Sequence, residues 1–264
     1  MISVSIVTYR TRVSELTDIL QILDCGDVKV IYVVDNASEK RIRDVCTGFP
    51  KTEYIPSENR GYGAGHNIAL RRVLHDKDLR CHLVVNTDIR FENSVIAEME
   101  EYLDRHSDIG LLHPLILNTD GNMQDTARLI PSPADLILRR FLPSGWFKKA
   151  RQRYLMKGVD KTGPFDAGYV QGSFMFFRIE ALRQTGLFDE RFFMYPEDID
   201  ISRRIHERWR VVCLPAVRVV HAHRAASYKS MKMLWIHITN MMRYYNKWGW
   251  WDDKIRKEIN ARII

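Results

Sequence analysis

No stretch of this chain approaches the roughly 20 consecutive apolar residues that a bilayer-spanning helix needs, so the sequence pattern offers no membrane span. The start, Met1-Ile2-Ser3-Val4-Ser5-Ile6-Val7, lacks the basic n-region of a signal peptide and reads as a first strand. Cysteine is sparse: Cys25, Cys46, Cys81 and Cys213 are widely scattered, without a Cys-x-x-Cys pair, which excludes a disulfide framework. Three of them sit in or near apolar runs, as suits a reducing cytoplasm. Internal repeats are absent, and so is a disordered composition. The first strand-to-helix turn contains no glycine, and Gly61-x-Gly63-x-Gly65 follows the third strand with the wrong spacing for a dinucleotide fingerprint, which argues against hydride transfer. Those glycines read instead as places where the backbone approaches a base or phosphate closely.

What is present is a chain of 264 residues, 45% hydrophobic, long enough for one large domain or a domain with an appendage. The formal net charge of +7 points to an anionic partner, whether nucleic acid, a phosphorylated small molecule or an acidic membrane surface. Much of that excess falls after residue 139. No recognised nucleic-acid motif accompanies it, and nucleic acid is set aside.

The first half alternates strand and helix patterns: strands at Ile2–Thr8, Val28–Val34, Thr52–Ile55 and 82–86, helices near 12–23, 39–47, from the glycine run to about 76, and 93–105. Such alternation predicts an α/β fold with a Rossmann-like, mostly parallel central sheet flanked by helices. In the second half a strand is expected at 109–117, a hairpin turn at Asn118–Gly121, a proline-rich and basic excursion at 131–165, and a strand at Tyr169–Phe177. A helix near 179–185, an aromatic loop at Phe188–Tyr195, a helix from Pro196 to about 207 and strands at 211–214 and 217–221 follow. The expected organisation is a catalytic domain at 1–226 (halves 1–108 and 109–226) and a helical, basic and aromatic extension at 227–264.

A parallel sheet gathers the carboxyl ends of its strands on one rim, where open α/β sheets bind ligands. Thr8-Tyr9, Asp35-Asn36 and Asn86-Thr87-Asp88 end such strands. A carboxylate there can hold a divalent cation against phosphate oxygens, although Asp88 alone could equally start a turn.

Val4-Ser5-Ile6-Val7-Thr8-Tyr9, Val33-Val34-Asp35-Asn36-Ala37-Ser38, Glu58-Asn59-Arg60-Gly61-Tyr62-Gly63-Ala64-Gly65-His66-Asn67, Leu83-Val84-Val85-Asn86-Thr87-Asp88, Gly172-Ser173-Phe174-Met175 and Tyr195-Pro196-Glu197-Asp198-Ile199-Asp200-Ile201-Ser202 occur in the order seen in family 2 glycosyltransferases. Over about residues 2–246 the chain resembles that family, and within it the bacterial rhamnosyltransferases of cell-surface polysaccharide assembly. The resemblance implies a GT-A fold, an inverting mechanism, a nucleotide-sugar donor and Mn²⁺ or Mg²⁺. It places Thr8, Tyr9, Asp35 and Asn36 at the nucleotide, Arg60 and Gly61 in the loop that closes over it, and Asn67 at the start of the helix behind. Asn86 to Asp88 match an Asp-x-Asp metal motif whose first acid is here Asn86, so Asp88 is the expected carboxylate ligand. His221 is the expected helper, with His223 the competing ligand. A zinc site of Cys213, His221 and His223 lacks structural-zinc spacing. Asp198 matches the general base, and Glu197 would bind the acceptor or orient the loop, whereas Asp200 reads as structural. Acids at a helix start also favour the helix dipole, by about 0.3–1 kcal/mol.

The implied activity is transfer of a sugar, L-rhamnose from dTDP-rhamnose in the first instance, to a lipid-linked or polysaccharide acceptor in O-antigen- or capsule-type synthesis. Another UDP- or dTDP-sugar, a metal-dependent nucleotidyltransferase and a non-catalytic binding module are the alternatives. In the tail, residues 230–245 either pack on the domain or on a second copy of it, or face a membrane. Residues 248–262 read as contact with an anionic membrane or as a homodimer surface. The enzyme is expected in the cytoplasm, peripheral on the inner face of the membrane.

Overall fold

The computed structural model describes residues 1–24, 26–138, 148–222 and 231–264. Cys25, residues 139–147 of the excursion, His223 and the tail up to residue 230 lie outside the described residues.

Strands β1 (Ile2–Thr8), β2 (Val28–Asp35), β3 (Thr52–Pro56) and β4 (Cys81–Val85) run parallel in the spatial order β3-β2-β1-β4. Alternate residues of β1 and β4, Ile2, Val4, Ile6 and Cys81, Leu83, Val85, share a core with helices α1 (Val13–Leu23), α2 (Lys40–Cys46) and α4 (Ser94–Arg105). The other face carries Ser3, Ser5 and His82, bonded together and to His66 of helix α3 (Tyr62–His75). Burial of both faces explains the near-continuous apolar runs of these strands.

The rest of the sheet is mixed. β5 (Ile89–Arg90) and β6 (Ile109–Leu117) precede β7 (Ala127–Arg128), β8 (Phe165–Asp166), β9 (Tyr169–Val170), β10 (Phe174–Arg178) and β11 (Arg210–His221). β10 enters between β4 and β6, antiparallel to both, while β11 runs parallel to β6. The C-terminal ends of β1, β2, β4, β6 and β11 therefore meet the N-terminal end of β10 on one rim.

Four differences from the expected elements have physical causes. The strand at 169–177 is two strands: β9 leaves the main sheet to pair with β7, and Gln171–Ser173 cross to β10. The pair at 211–214 and 217–221 is one strand whose register slips between Leu214 and Arg218, at Pro215, which has no N–H for the ladder. The turn at Asn118–Gly121 closes only a single bridge, Leu117 to Met123. β5 was too short to signal itself, yet its pairing with Val220 and His221 fixes the position of Asp88.

The tail is not a free appendage. Among the described residues it forms α8 (Met231–Trp248) and, after Gly249 at φ +98°, α9 (Lys254–Ile263). Met241, Tyr244, Tyr245 and Ile259 are buried in the same core as Phe192, Ile199 and Ile201 of the loop and helix α7 (Glu197–Ile205), which follow helices α5 (Lys148–Tyr154) and α6 (Ile179–Thr185). Asp253 caps α9 and forms a bidentate, buried pair with Arg203 of α7, both bonds at 2.5 Å. Removing one partner of such a pair costs about 3–5 kcal/mol. The expectation that residues 248–262 lie on the surface fails at Asp253, Arg256 and Ile259, all buried, and at Trp248, whose indole donates to Asp200 at 2.7 Å. Trp235, Trp251, Met231, Met242 and Ile255 are exposed.

Candidate active site

At the nucleotide end of the rim, Thr8 and Asp35 are partners in register on β1 and β2. Asp35 accepts from the Thr8 hydroxyl at 3.1 Å, from the Ala37 and Glu39 amides at 3.1 and 2.6 Å, and from the Tyr54 hydroxyl at 3.1 Å. Both residues are wholly buried. Asp35 thus closes the turn after β2 at the end of the strand where its contact with the base is expected. The polar groups left at that end are Tyr9, half exposed, and Asn36, whose Oδ1 is buried without a hydrogen-bond partner.

Asn67 lies near the start of α3, behind the Arg60-Gly61 turn. It is buried, its side chain donates to the Phe188 carbonyl at 2.8 Å and accepts from the Phe188 amide at 3.0 Å, and it donates to Glu190 at 3.0 Å. It clasps the aromatic loop. Arg60 projects to solvent and pairs with the same Glu190 at 3.3 Å. Gly61 sits at φ +109°, and a Cβ there would lie 2.3 Å from the Phe193 carbonyl oxygen. The glycine run owes its composition to this approach and to Gly65 packing on Val7, so protein rather than phosphate is the neighbour at Gly65.

Further along the rim, His221 Nε2 lies 3.3 Å from Asp88 Oδ2, and the Ala222 amide donates to the Asp88 carbonyl at 3.0 Å. About a third of the Asp88 side chain reaches solvent. No group of three or more His, Cys, Asp or Glu that could hold a metal ion gathers among the described residues. One carboxylate and one imidazole nevertheless suit a cation whose other places are taken by phosphate oxygens and water. Cys213 is eight residues from His221 along β11, roughly 25 Å by strand geometry, and donates to the Pro114 carbonyl in the core. The Cys213–His221 zinc grouping is therefore ruled out, and His223 lies outside the described residues.

The acid pair opens α7. Asp198 is half-buried and accepts two backbone N–H bonds, from Gly172 at 3.1 Å and Ile199 at 2.8 Å. Glu197 is buried, and its Oε2 has no hydrogen-bond partner. Desolvation pushes the Asp198 carboxyl up to about 7, against the pull of its two amides and the Arg128 guanidinium. Burial and the neighbouring Asp198 charge push Glu197 well above the usual carboxylate range. Near neutral pH the pair therefore holds a proton on Glu197 and leaves Asp198 as the accessible anion. Asp200 is sealed among Arg204, Lys247 and Trp248, a structural role.

Two residues at the centre of the rim escaped the sequence reading. The Tyr62 hydroxyl lies 3.0 Å from Asn86 Oδ1 and 2.6 Å from the Gly172 carbonyl oxygen, and the Asn86 amide donates to the Ser173 carbonyl at 3.0 Å. Gly172 opens the matched run Gly172–Met175, which carried no role of its own. Tyr62, within a run read for its glycines, carried no separate signal.

Residues 2–246 match the family described as "Glycosyltransferase like family 2". The N-acetylglucosaminyl-diphospho-decaprenol L-rhamnosyltransferase of Mycobacterium tuberculosis is 29% identical, over 89% of this chain and 81% of that protein. Rhamnosyltransferase WbbL of Escherichia coli K12 is 24% identical over 81% of each. Among solved structures, GalNAc-T7 with UDP, GalNAc and Mn²⁺ superposes with a TM-score of 0.66 at 17% identity, covering 96% of this chain and 48% of that one. The mannosyltransferase PcManGT of Pyrobaculum calidifontis, with GDP-Man and Mn²⁺, gives 0.60 at 17% identity, over 93% of this chain and 63% of that one. The chain spans half to two-thirds of these structural neighbours, and the likeness establishes the GT-A fold.

Proposed function

The chain belongs to the family 2-like glycosyltransferases, and on that premise we propose that it is a metal-dependent inverting enzyme that moves L-rhamnose from dTDP-rhamnose to a lipid-linked acceptor. The observation that carries the mechanism is the Asp198 carboxylate, half-buried, fixed by two amides and linked through Gly172 and Tyr62 to Asn86. Asp198 takes the proton of the acceptor hydroxyl as that oxygen attacks the anomeric carbon, and the nucleoside diphosphate leaves from the opposite face. One base and one displacement invert the anomeric centre. Glu197, protonated, donates a hydrogen bond to the acceptor without competing for the proton. Asp88 and His221 would hold Mn²⁺ or Mg²⁺, which would supply stabilisation of the negative charge developing on the departing diphosphate. Asp35 or its neighbour Asn36, whose Oδ1 has no partner within the protein, accepts the imide N–H of the thymine, and Tyr9 lies along the base.

The rhamnosyl donor and lipid-diphosphate acceptor rest on the two rhamnosyltransferase relatives. Another UDP- or dTDP-sugar in the same site is the second reading, supported by the sugar-nucleotide variety of the structural neighbours. Nucleotidyl transfer draws no support from any of these relatives. No helix among the described residues is long and apolar enough to cross a membrane. Contact with the inner face of an anionic membrane would use exposed Met231, Trp235, Met242, Trp251 and Ile255, with Arg243, Lys254 and Lys257 beside them. Turnover with a panel of nucleotide sugars, with and without Mn²⁺ and a polyprenyl-diphosphate sugar acceptor, tests the assignment. Preferred use of dTDP-rhamnose, abolished by chelation, is the expected result, and pyrophosphate release from a nucleoside triphosphate would replace the reading by nucleotidyl transfer.

A further inference from the structure

Resting on the glycosyl-transfer reading, we propose that Tyr62 is a positioning residue that ties the donor side of the site to its base: its hydroxyl bridges the Asn86 side chain and the Gly172 peptide, and the N–H of Gly172 holds the Asp198 carboxylate.

Tyr62 is the first residue of α3, and its amide donates to the Phe193 carbonyl at 3.0 Å, so its backbone is tied to the aromatic loop that leads into Glu197 and Asp198. Its ring meets His66 edge-on, with centroids 4.5 Å apart. His66 is bonded to Ser5 at 2.7 Å, Ser5 to His82 at 2.8 Å and His82 to Ser3 at 2.8 Å, and all four are wholly buried. Burial lowers both histidines far below their ordinary range, so this support under the ring keeps one charge state at neutral pH.

The hydroxyl itself stays protonated, because burial and the charges of Glu197, Asp198 and Asp88 all oppose its ionisation. It has one proton for two acceptors, and at 2.6 Å the Gly172 carbonyl holds the shorter bond. The peptide after Gly172 is thereby held at its oxygen by Tyr62, and the segment before it by the pairing of β9 with β7 and the Gln171 amide donating to the Thr126 carbonyl at 3.0 Å. With both sides of its Cα held, the Gly172 N–H points at Asp198 as a positioned donor. A phenylalanine would fill the same volume, so the hydroxyl is what this position adds. Loss of a donor that acts through a second group is worth roughly a two- to tenfold change.

Tyr62→Phe, compared with wild type for kcat, donor KM, pH profile and melting temperature, tests the role. The groups that face Asp198 are Glu197 on its own helix, Tyr62 from α3 and Arg128 from β7. With Glu197 and Arg128 unchanged, kcat is expected to fall about two- to tenfold with donor KM within about twofold. The acidic limb of the pH profile should also move to higher pH, because the Asp198 anion has lost a fixed donor. A tyrosine that only packs would leave that limb in place. An active wild type whose Tyr62→Phe variant keeps both kcat and the limb overturns this role alone. A wild-type protein that turns over no nucleotide sugar overturns the transfer reading and this role together.

Discussion

At one end of the rim Asp88 shows about a third of its carboxylate to solvent, with an imidazole 3.3 Å away. At the other, Glu197 is sealed with an unpartnered oxygen, and Asp198 is desolvated but held by two amides. The first arrangement is open, with room for a cation and phosphate oxygens in the proposed reading. The second carries the cost of burying two acids and relieves it by keeping one proton. In the proposed mechanism the open side serves the departing diphosphate. The buried side has its affinity for a proton raised, as a general base for an acceptor hydroxyl requires.

Asp88→Ala should break this contrast most severely, with turnover lower by about two orders of magnitude or more, the range seen when one stabiliser of developing charge is removed. A titration of Mn²⁺ against initial rate would register the loss, and unchanged metal dependence would clear Asp88 of the role. Next in size is a structural effect: Asp253→Ala strands Arg203 and should lower stability by about 3–5 kcal/mol in denaturant unfolding. A change under about 1 kcal/mol would mean that the tail helices are not fastened to α7 by this pair.

Glu197→Gln sharpens the comparison from the base side. In the folded protein Glu197 binds its proton more tightly than in the unfolded chain, so folding stability falls as pH rises through and above the ordinary carboxylate range. The amide carries no such liability. The variant's melting temperature should therefore gain on wild type between pH 5 and pH 8, while the acidic limb of kcat, set by Asp198 near 7, stays in place. Movement of that limb would give Glu197 the proton-accepting role instead. The smallest effect expected is at the surface: Trp235→Ala with Met242→Ala should weaken binding to anionic vesicles several-fold in a sedimentation assay while leaving turnover of a short-chain acceptor intact. Equal binding, or a loss of dimer in its place, would assign the exposed face of α8 to a second copy.

How much of this could be read beforehand differs between the same two ends. Strands β1, β2 and β4 announce themselves as short runs rich in β-branched residues, and the ends of those runs located Asp35, Asn86 and Asp88. The hydrogen bonds of the individual side chains did not show: Asp35 makes four and Asn67 three within the protein. His221 was legible as a strand end, but its meeting with Asp88 depends on the two-residue strand β5, too short to carry a periodicity. The link through Gly172 was not legible, because it arises where β9 and β10 separate into different sheets. The tail misled for a related reason. Tryptophans beside lysines suit a membrane interface and a domain core alike, and only the contacts with Arg203 and Asp200 decide that Trp248 belongs to the core.

The most direct test of the account is the rate of nucleoside diphosphate release from dTDP-rhamnose, with Mn²⁺ and acceptor at saturation, across pH 5–9 in wild type and Asp198→Asn. The wild-type rate should rise with pH through about 7 as Asp198 ionises. The variant should be slower by about 10²–10⁴-fold, without that rise and with unchanged nucleotide affinity. An Asp198→Asn enzyme with the wild-type rate and profile would contradict the assignment of the base, and with it the mechanism.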